Sequence, residues 1–286
     1  MKTLKALRTF ALAGALLGCG DATTGTGTVT VSLWGEDYID RDDGIGPVSM
    51  SAAGFEDGWT VRFTKFLVSV GDVTVAASDG AQGGAVTGLR VYNLKGTNGP
   101  LRIGQIASVP SRRMDRVSYR VAPATAGAMA GNASAADVTA MIAGGYSLWV
   151  EGVATKPGRA NPVTFRWGFT HAVDYSQCEL EGAFGVAVPT SGTVDAQITV
   201  HGDHFFYDRI GDGAKLRFDD IAAADANADN EVTLAELAAV DLTRLPRDRY
   251  DPSGAPGVNT LRDFMTVLAT TTGHYNGEGE CQVRRR

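Results

Sequence analysis

Apolar residues recur at every second position through most of this chain, the period of a strand with one face buried. "TVTVSLW" puts Val29, Val31 and Leu33 on one side. "WTVRFTKFLVSVGDVTV" holds two such runs, Trp59, Val61, Phe63 and then Phe66, Val68, Val70. The Gly71-Asp72 pair predicts a turn before Val73 and Val75. Further strands are expected near 89–94, 117–121, 146–153, 162–169, 184–188 and 193–201. Clusters such as "SDGAQGG", "GTNGP" and "KPGRANP" punctuate them. Short strands at this spacing indicate a β-sandwich. One helix interrupts it: in "SAADVTAMIAGG", Ser134 is the expected N-cap, and Val138, Met141 and Ile142 share a face.

Near residue 210 the period changes to that of a helix. "AKLRFDDIAAADA" carries Leu216 and Ile221, and "TLAELAAVDL" carries Leu234, Leu237 and Val240. In "NTLRDFMTVLATTTG", Leu261, Phe264, Met265 and Leu268 fall at i, i+3, i+4 and i+7. No repeat of 20–50 residues is present. The fold class expected is mainly β, with a β-sandwich over 28–210 and a small α-helical unit over 211–286.

Between two of these helical stretches lies "DANADNEVTLAE". Asp225, Asn227 and Asp229 hold positions 1, 3 and 5 of a 12-residue loop, and Glu236 holds position 12. Calcium takes six to eight oxygens, and this spacing supplies them. Glu231 would give its backbone carbonyl, Thr233 would hold a water, and Glu236 would bind through both oxygens. Val232 sits where a short pairing strand belongs. The stretch resembles the EF-hand family, so the helical unit is expected to be EF-hand-like with calcium in a mainly structural role. Asn230 stands at the turn position where the family has Gly; Asn is the side chain best tolerated in the left-handed region. Thr233 and Glu236 also form a capping box for the helix that follows. "DPSGAPGVNTLR", from Asp251, lacks a carboxylate at its last position. It reads either as a degenerate partner loop pairing Val258 with Val232 or as an irregular connection.

The N-terminus changes the setting. Lys2, Lys5 and Arg8 precede the apolar run "FALAGALL", which is shorter than the about 20 residues needed to span a bilayer. This is the pattern of a signal peptide over 1–18. "LLGC", ending at Cys19, resembles a bacterial lipobox, which implies cleavage before Cys19 and its lipidation. Residues 19–27 are small and polar and read as a tether. The expected location is the bacterial cell envelope, periplasmic or cell-surface, with the protein held on a membrane by its lipid. Without residues 1–18 the chain has 23 basic and 32 acidic residues, a formal charge of −9. Such a surface excludes a nucleic-acid partner. Cys178 and Cys281 remain as an even pair in an oxidising compartment, which predicts a disulfide between them. The acidic "EDYIDRDDG" from Glu36 reads as solvated surface or a second calcium loop.

The histidines His171, His201, His204 and His274 all fall late in the chain. "TVHGDHFFYD" places His201, Asp203 and His204 together, and "GHYNGEGEC" brings His274 and Glu278 near Cys281. Either these groups satisfy buried backbone between sheet and helices, or His201, Asp203, His204 and His274 bind copper or zinc, which suit imidazole with carboxylate. The layout also resembles, more loosely, periplasmic lipoproteins that include the methanobactin-associated copper-binding proteins. The shared points are the anchor, the "W-x-V-x-F…V-x-V" start, and Trp167, Tyr175 and His201. That resemblance implies copper. No GxSxG, P-loop, HxHxDH or HExxH pattern occurs. A binding or structural role is therefore expected rather than an enzyme.

Overall fold

A computed structural model describes residues 25–50, 53–246, 248–252 and 255–286. The signal segment, Cys19 and most of the tether lie outside these residues. Along the described chain the strands are β1 (Thr26–Trp34), β2 (Thr60–Ala76), β3 (Gln82–Asn93), β4 (Leu101–Pro110), β5 (Arg113–Met114), β6 (Arg116–Val121), β7 (Met129–Ala130) and β8 (Leu148–Thr155). They continue as β9 (Val163–Phe169), β10 (Val173–Leu180), β11 (Ala183–Phe184), β12 (Val186–Ala187), β13 (Thr193–Val200), β14 (Glu231–Val232), β15 (Gly273–Tyr275) and β16 (Glu280–Arg285). The helices are short: α1 (Glu36–Asp40), α2 (Ala135–Gly144), α3 (Asp219–Ala222), α4 (Leu234–Ala239) and α5 (Leu261–Ala269). Among the described residues no helix is long and apolar enough to cross a membrane.

The protein is mainly β, as its alternation predicts. One sheet has the order β15-β13-β1-β4, with β1 parallel to β13 and antiparallel to β4. The larger sheet runs β11-β10-β6-β2-β8-β9-β14, with β16 added on β10 and β3 on β2, and it curls into a half-barrel. Its spine is β2, 17 residues long, which pairs with β3, β6 and β8. Val29, Val31 and Leu33 of the small sheet share one core with Phe63, Phe165 and Trp167 of the large one.

Two differences from the sequence expectation have one physical cause. Gly71-Asp72 is not a turn: β2 runs straight through, and the pair forms a bulge with Asp72 at φ 50° and register shifts against both β3 and β6. A bulge adds one residue and resets which face the side chains take. The strands β4 and β10 escaped prediction for the same reason. β4 shifts register twice against β1, and β10 shifts against β16 between Ser176 and Glu179, with Gln177 at φ 50°. Their buried residues, such as Val173, Tyr175 and Cys178, therefore break the period of two.

The expected helices form where capping and stripe agree. Ser134 caps α2 by accepting from the Asp137 N–H. The side chains of Leu261, Phe264, Met265 and Leu268 in α5 are all buried. The stretch expected to be helical, 211–286, also contributes β14, β15 and β16 to the two sheets. Its Phe218, Ile221, Leu237 and Phe264 belong to the same core as Val29 and Trp167.

Candidate metal centre

The end of β13 positions the first imidazole. The His201 N–H donates to the Thr272 carbonyl at 2.8 Å, so the pairing of β13 with β15 carries past the strand's last residue. That same pairing sets Thr199 opposite His274. After His201 the chain tightens into a 3-10 turn, Asp203–Phe206, which sends Phe205 and Phe206 into the core. His204 then faces back towards His201. Gly202 is required at the bend, because a Cβ there would come within 2.7 Å of both Ile39 and Phe63.

A second support holds the segment that follows α5. Tyr119 and Tyr175 stack with centroids 4.6 Å apart, both buried. Their hydroxyls donate to the carbonyls of His274 (3.0 Å) and Thr270 (2.9 Å). Gly273 allows this approach, since a Cβ would sit 2.6 Å from the Tyr119 oxygen. The disulfide predicted from the sequence is present: Cys178 and Cys281 are joined across 103 residues. It fastens β16, which follows His274, to β10.

The result is a convergence of three imidazoles. His201, His204 and His274 are 2%, 9% and 6% exposed, and each offers a ring nitrogen within 4.8 Å of the others. The ring centroids are 4.2 Å apart for His201–His274 and 5.0 Å for His204–His274. Burial and the neighbouring imidazoles hold His204 down to about 2 and His274 down to about 4. Both rings are therefore neutral at physiological pH and keep a lone pair.

The tautomer of His204 follows from one hydroxyl. Thr271 Oγ1 lies 2.8 Å from the Leu268 carbonyl and 2.9 Å from His204 Nδ1. A carbonyl only accepts, so the single hydroxyl hydrogen goes to Leu268. His204 Nδ1 must then carry the hydrogen that it gives to Thr271 Oγ1, which leaves Nε2 with its lone pair. Such a bond from the remote nitrogen is how ligand imidazoles are fixed. On His274, Nδ1 has no hydrogen-bond partner.

Carboxylates surround the group. Glu36 Oε2 lies 3.5 Å from His201 Nε2, and Asp203 Oδ1 lies 3.9 Å from His201 Nδ1. Tyr207 donates to the other Asp203 oxygen at 2.8 Å. Burial raises the pKa of both Glu36 and Asp203. Two clefts reach the site. One, of about 190 Å³, is lined by His201, Asp203, Tyr207 and Glu278. The other, of about 390 Å³, is lined by His204, His274, Glu278 and Glu280.

Of the residues expected at a transition-metal site, His201, His204 and His274 come together, and Asp203 lies beside them. Glu36 was missed because it lies 165 positions before His201 and carries no spacing signal. Its neighbours do not all face solvent: Asp40 accepts hydrogen bonds from the backbone of Gly96, Thr97 and Asn98 and so anchors the β3–β4 connection. The fourth histidine, His171, stays outside the group. Both its ring nitrogens are buried without a hydrogen-bond partner, and burial, with Arg285 adding to it, pulls it down to about 4. An unfolded chain titrates His near 6.5. The stability tied to a neutral His171 is thus complete above that pH and is lost as pH falls towards 4. His171→Leu is expected to flatten the stability–pH curve between pH 6.5 and 4 by up to about 1.4 kcal/mol per pH unit. Denaturant midpoints at pH 7 and pH 5 measure it, and an unchanged slope would refute the assignment.

The acidic loop is a separate feature. Asp225 accepts from the Asp229 and Asn230 N–H groups at 3.2 and 3.0 Å. Asn230 lies at φ 64°, the left-handed conformation that its position in the loop demands. Glu236 accepts from the Thr233 and Ala226 N–H groups, and the capping box of α4 is complete. Val232 pairs with Phe165 of β9, not with Val258. Asn259 and Leu261 bond to Leu242 and Val240 instead, so the described part of the second stretch is an irregular connection. Trp167 ties the loop to the core by donating to the Val232 carbonyl at 2.9 Å.

No protein-family model, curated protein or solved structure matches the chain.

Proposed function

We propose that this protein binds a transition-metal ion, Cu(II) or Zn(II), on His201, His204 and His274, outside the cytoplasm. The observation that carries this reading is the convergence of three buried imidazole nitrogens within 4.8 Å of one another. Neutral imidazoles are ligands for borderline divalent ions, and Cu(II) stands above Zn(II) in the affinity order for such sites. Thiolate chemistry plays no part, because Cys178 and Cys281 are oxidised to a disulfide. The disulfide, with the lipobox ending at Cys19, fits a lipid-anchored protein of the cell envelope. The role is binding or structural, with no reacting group assigned. Titrating the metal-stripped protein with Cu(II) should give one tight equivalent whose electron spin resonance shows imidazole nitrogens. Absence of that signal, with Zn(II) also leaving on dialysis, would overturn the reading.

A second metal is supported by a different observation. Asn230 takes the left-handed turn in place of Gly, and Asp225 folds back over the loop. We read Asp225, Asn227, Asp229, Glu231, Thr233 and Glu236 as a calcium loop of EF-hand type, docked on a β-sandwich. Its single site and extracellular setting favour a structural ion over a sensor. Binding that favours the folded state adds about 2.7 kcal/mol at a hundredfold excess over Kd. Millimolar calcium should therefore raise the melting temperature of the wild type and leave Asp225→Ala unmoved. Equal shifts in both proteins, or none in either, would sink it.

A further inference from the structure

The three-histidine group uses only part of the polar chemistry gathered here. A second set, Glu36, His201 and Glu278, also offers ligand atoms within 4.8 Å of one another, and it shares His201 with the first. We infer that Glu36, His201, Asp203 and Glu278 form an outer cation subsite, which takes a hydrated Cu(II) or Zn(II) ion before the inner three-histidine site receives it. This rests on the reading of the inner site as a metal centre.

One observation points to a ligand rather than to solvated acid. Asp203 has a side chain only 8% exposed, lines the 190 Å³ cleft, and leaves Oδ1 with no hydrogen-bond partner. A buried carboxylate oxygen without a donor is costly unless something positive meets it. Glu36, with a side chain 11% exposed, stands 3.5 Å from His201 on the same cluster.

The order of the two sites follows from their chemistry. The outer set is mostly oxygen, and Glu278 is exposed on both clefts, so it meets a cation that still carries water. The inner set is all imidazole nitrogen and buried, so it holds a borderline ion more tightly once water has left. His201 has one lone pair, because its Nε2 donates its hydrogen to the Gly277 carbonyl at 3.3 Å, so it ligates one ion at a time; with the inner site filled, the outer ion rests on the carboxylates of Glu36, Asp203 and Glu278 beside it.

Cu(II) titration of the full chain in an Asp225→Ala background, read by electron spin resonance and calorimetry, tests this. The background change keeps the acidic loop from adding a signal. The expected result is one tight ion and one weaker ion, with dipolar broadening when both are present. Glu36→Gln/Glu278→Gln should keep the tight ion, weaken the second by about tenfold or more, and lose the broadening. Glu278→Gln alone repeats the weakening at an exposed residue whose change leaves folding intact. A single ion in the parent, or a second ion unaffected by both carboxylate changes, overturns the subsite while the inner centre stands. If the parent binds no ion, both fall together.

Discussion

His204→Ala is expected to lower Cu(II) or Zn(II) affinity by far more than changes to the groups that only orient the ligands. Losing a group that only orients a ligand costs about 10–100-fold in metal affinity, and losing the ligand itself costs more. Three ring nitrogens converge here, so removing one leaves two imidazoles, His201 and His274, to hold an ion. Thr271→Val supplies the graded control. It removes the acceptor that fixes His204 Nδ1–H at 2.9 Å and so frees the ring to take either tautomer. The expected loss is about 10–100-fold, between wild type and His204→Ala. A purely structural role for His204 predicts something else: both substitutions would lower the melting temperature of the metal-free protein and leave affinity together with the fold. Equilibrium titration of the folded variants separates the two. Unchanged affinity in His204→Ala would refute the site.

What the sequence disclosed depended on the distance over which each signal acts. Local signals carried well. Val29, Val31 and Leu33 alternate, and all three are buried. The stripe from Leu261 to Leu268 packs in the core, and Ser134 caps α2. The Cys178–Cys281 pairing was legible because only two cysteines follow Cys19. Signals that needed register were lost: each bulge in β2, β4 and β10 shifts the period, and period alone cannot report it. The three-histidine group lay between these cases. Its members were visible as residue types, but their meeting depends on β13 pairing with β15 across about 75 residues and on two tyrosine hydroxyls fixing the return segment. Glu36 had no local mark at all. Its place beside His201 comes from α1 following β1, which lies next to β13 in the same sheet.

Cys178→Ala/Cys281→Ala is expected to be strongly destabilising. The bond closes a loop of 103 residues. Chain entropy alone gives about 4.7 kcal/mol for a loop near 100 residues, and measured losses in secreted domains run at about 2–5 kcal/mol. The local setting argues for the upper part of that range. β16 is almost wholly exposed and reaches the fold mainly through pairing with β10, where the register slips between Ser176 and Glu179. An exposed strand with a broken ladder has little burial to hold it. Its other ties are few: the Arg285 guanidinium donates to Thr270 Oγ1 at 2.8 Å, Gln282 accepts from Gln177, and Arg284, with Arg286 just beyond the strand, pairs with Asp174, the ion pairs being surface contacts of small worth. The loss should also be uneven. His274 stays on β15, paired with β13 and bonded by Tyr119, whereas Glu278 and Glu280 lie in the turn and strand that the bond secures. Reduction or double substitution should therefore lower the denaturant midpoint strongly, weaken outer-site binding, and change inner-site affinity by less than His204→Ala does. A stability change below about 1 kcal/mol would mean that β16 is held by its ladder after all, and that the bond only records an arrangement the sheet already enforces.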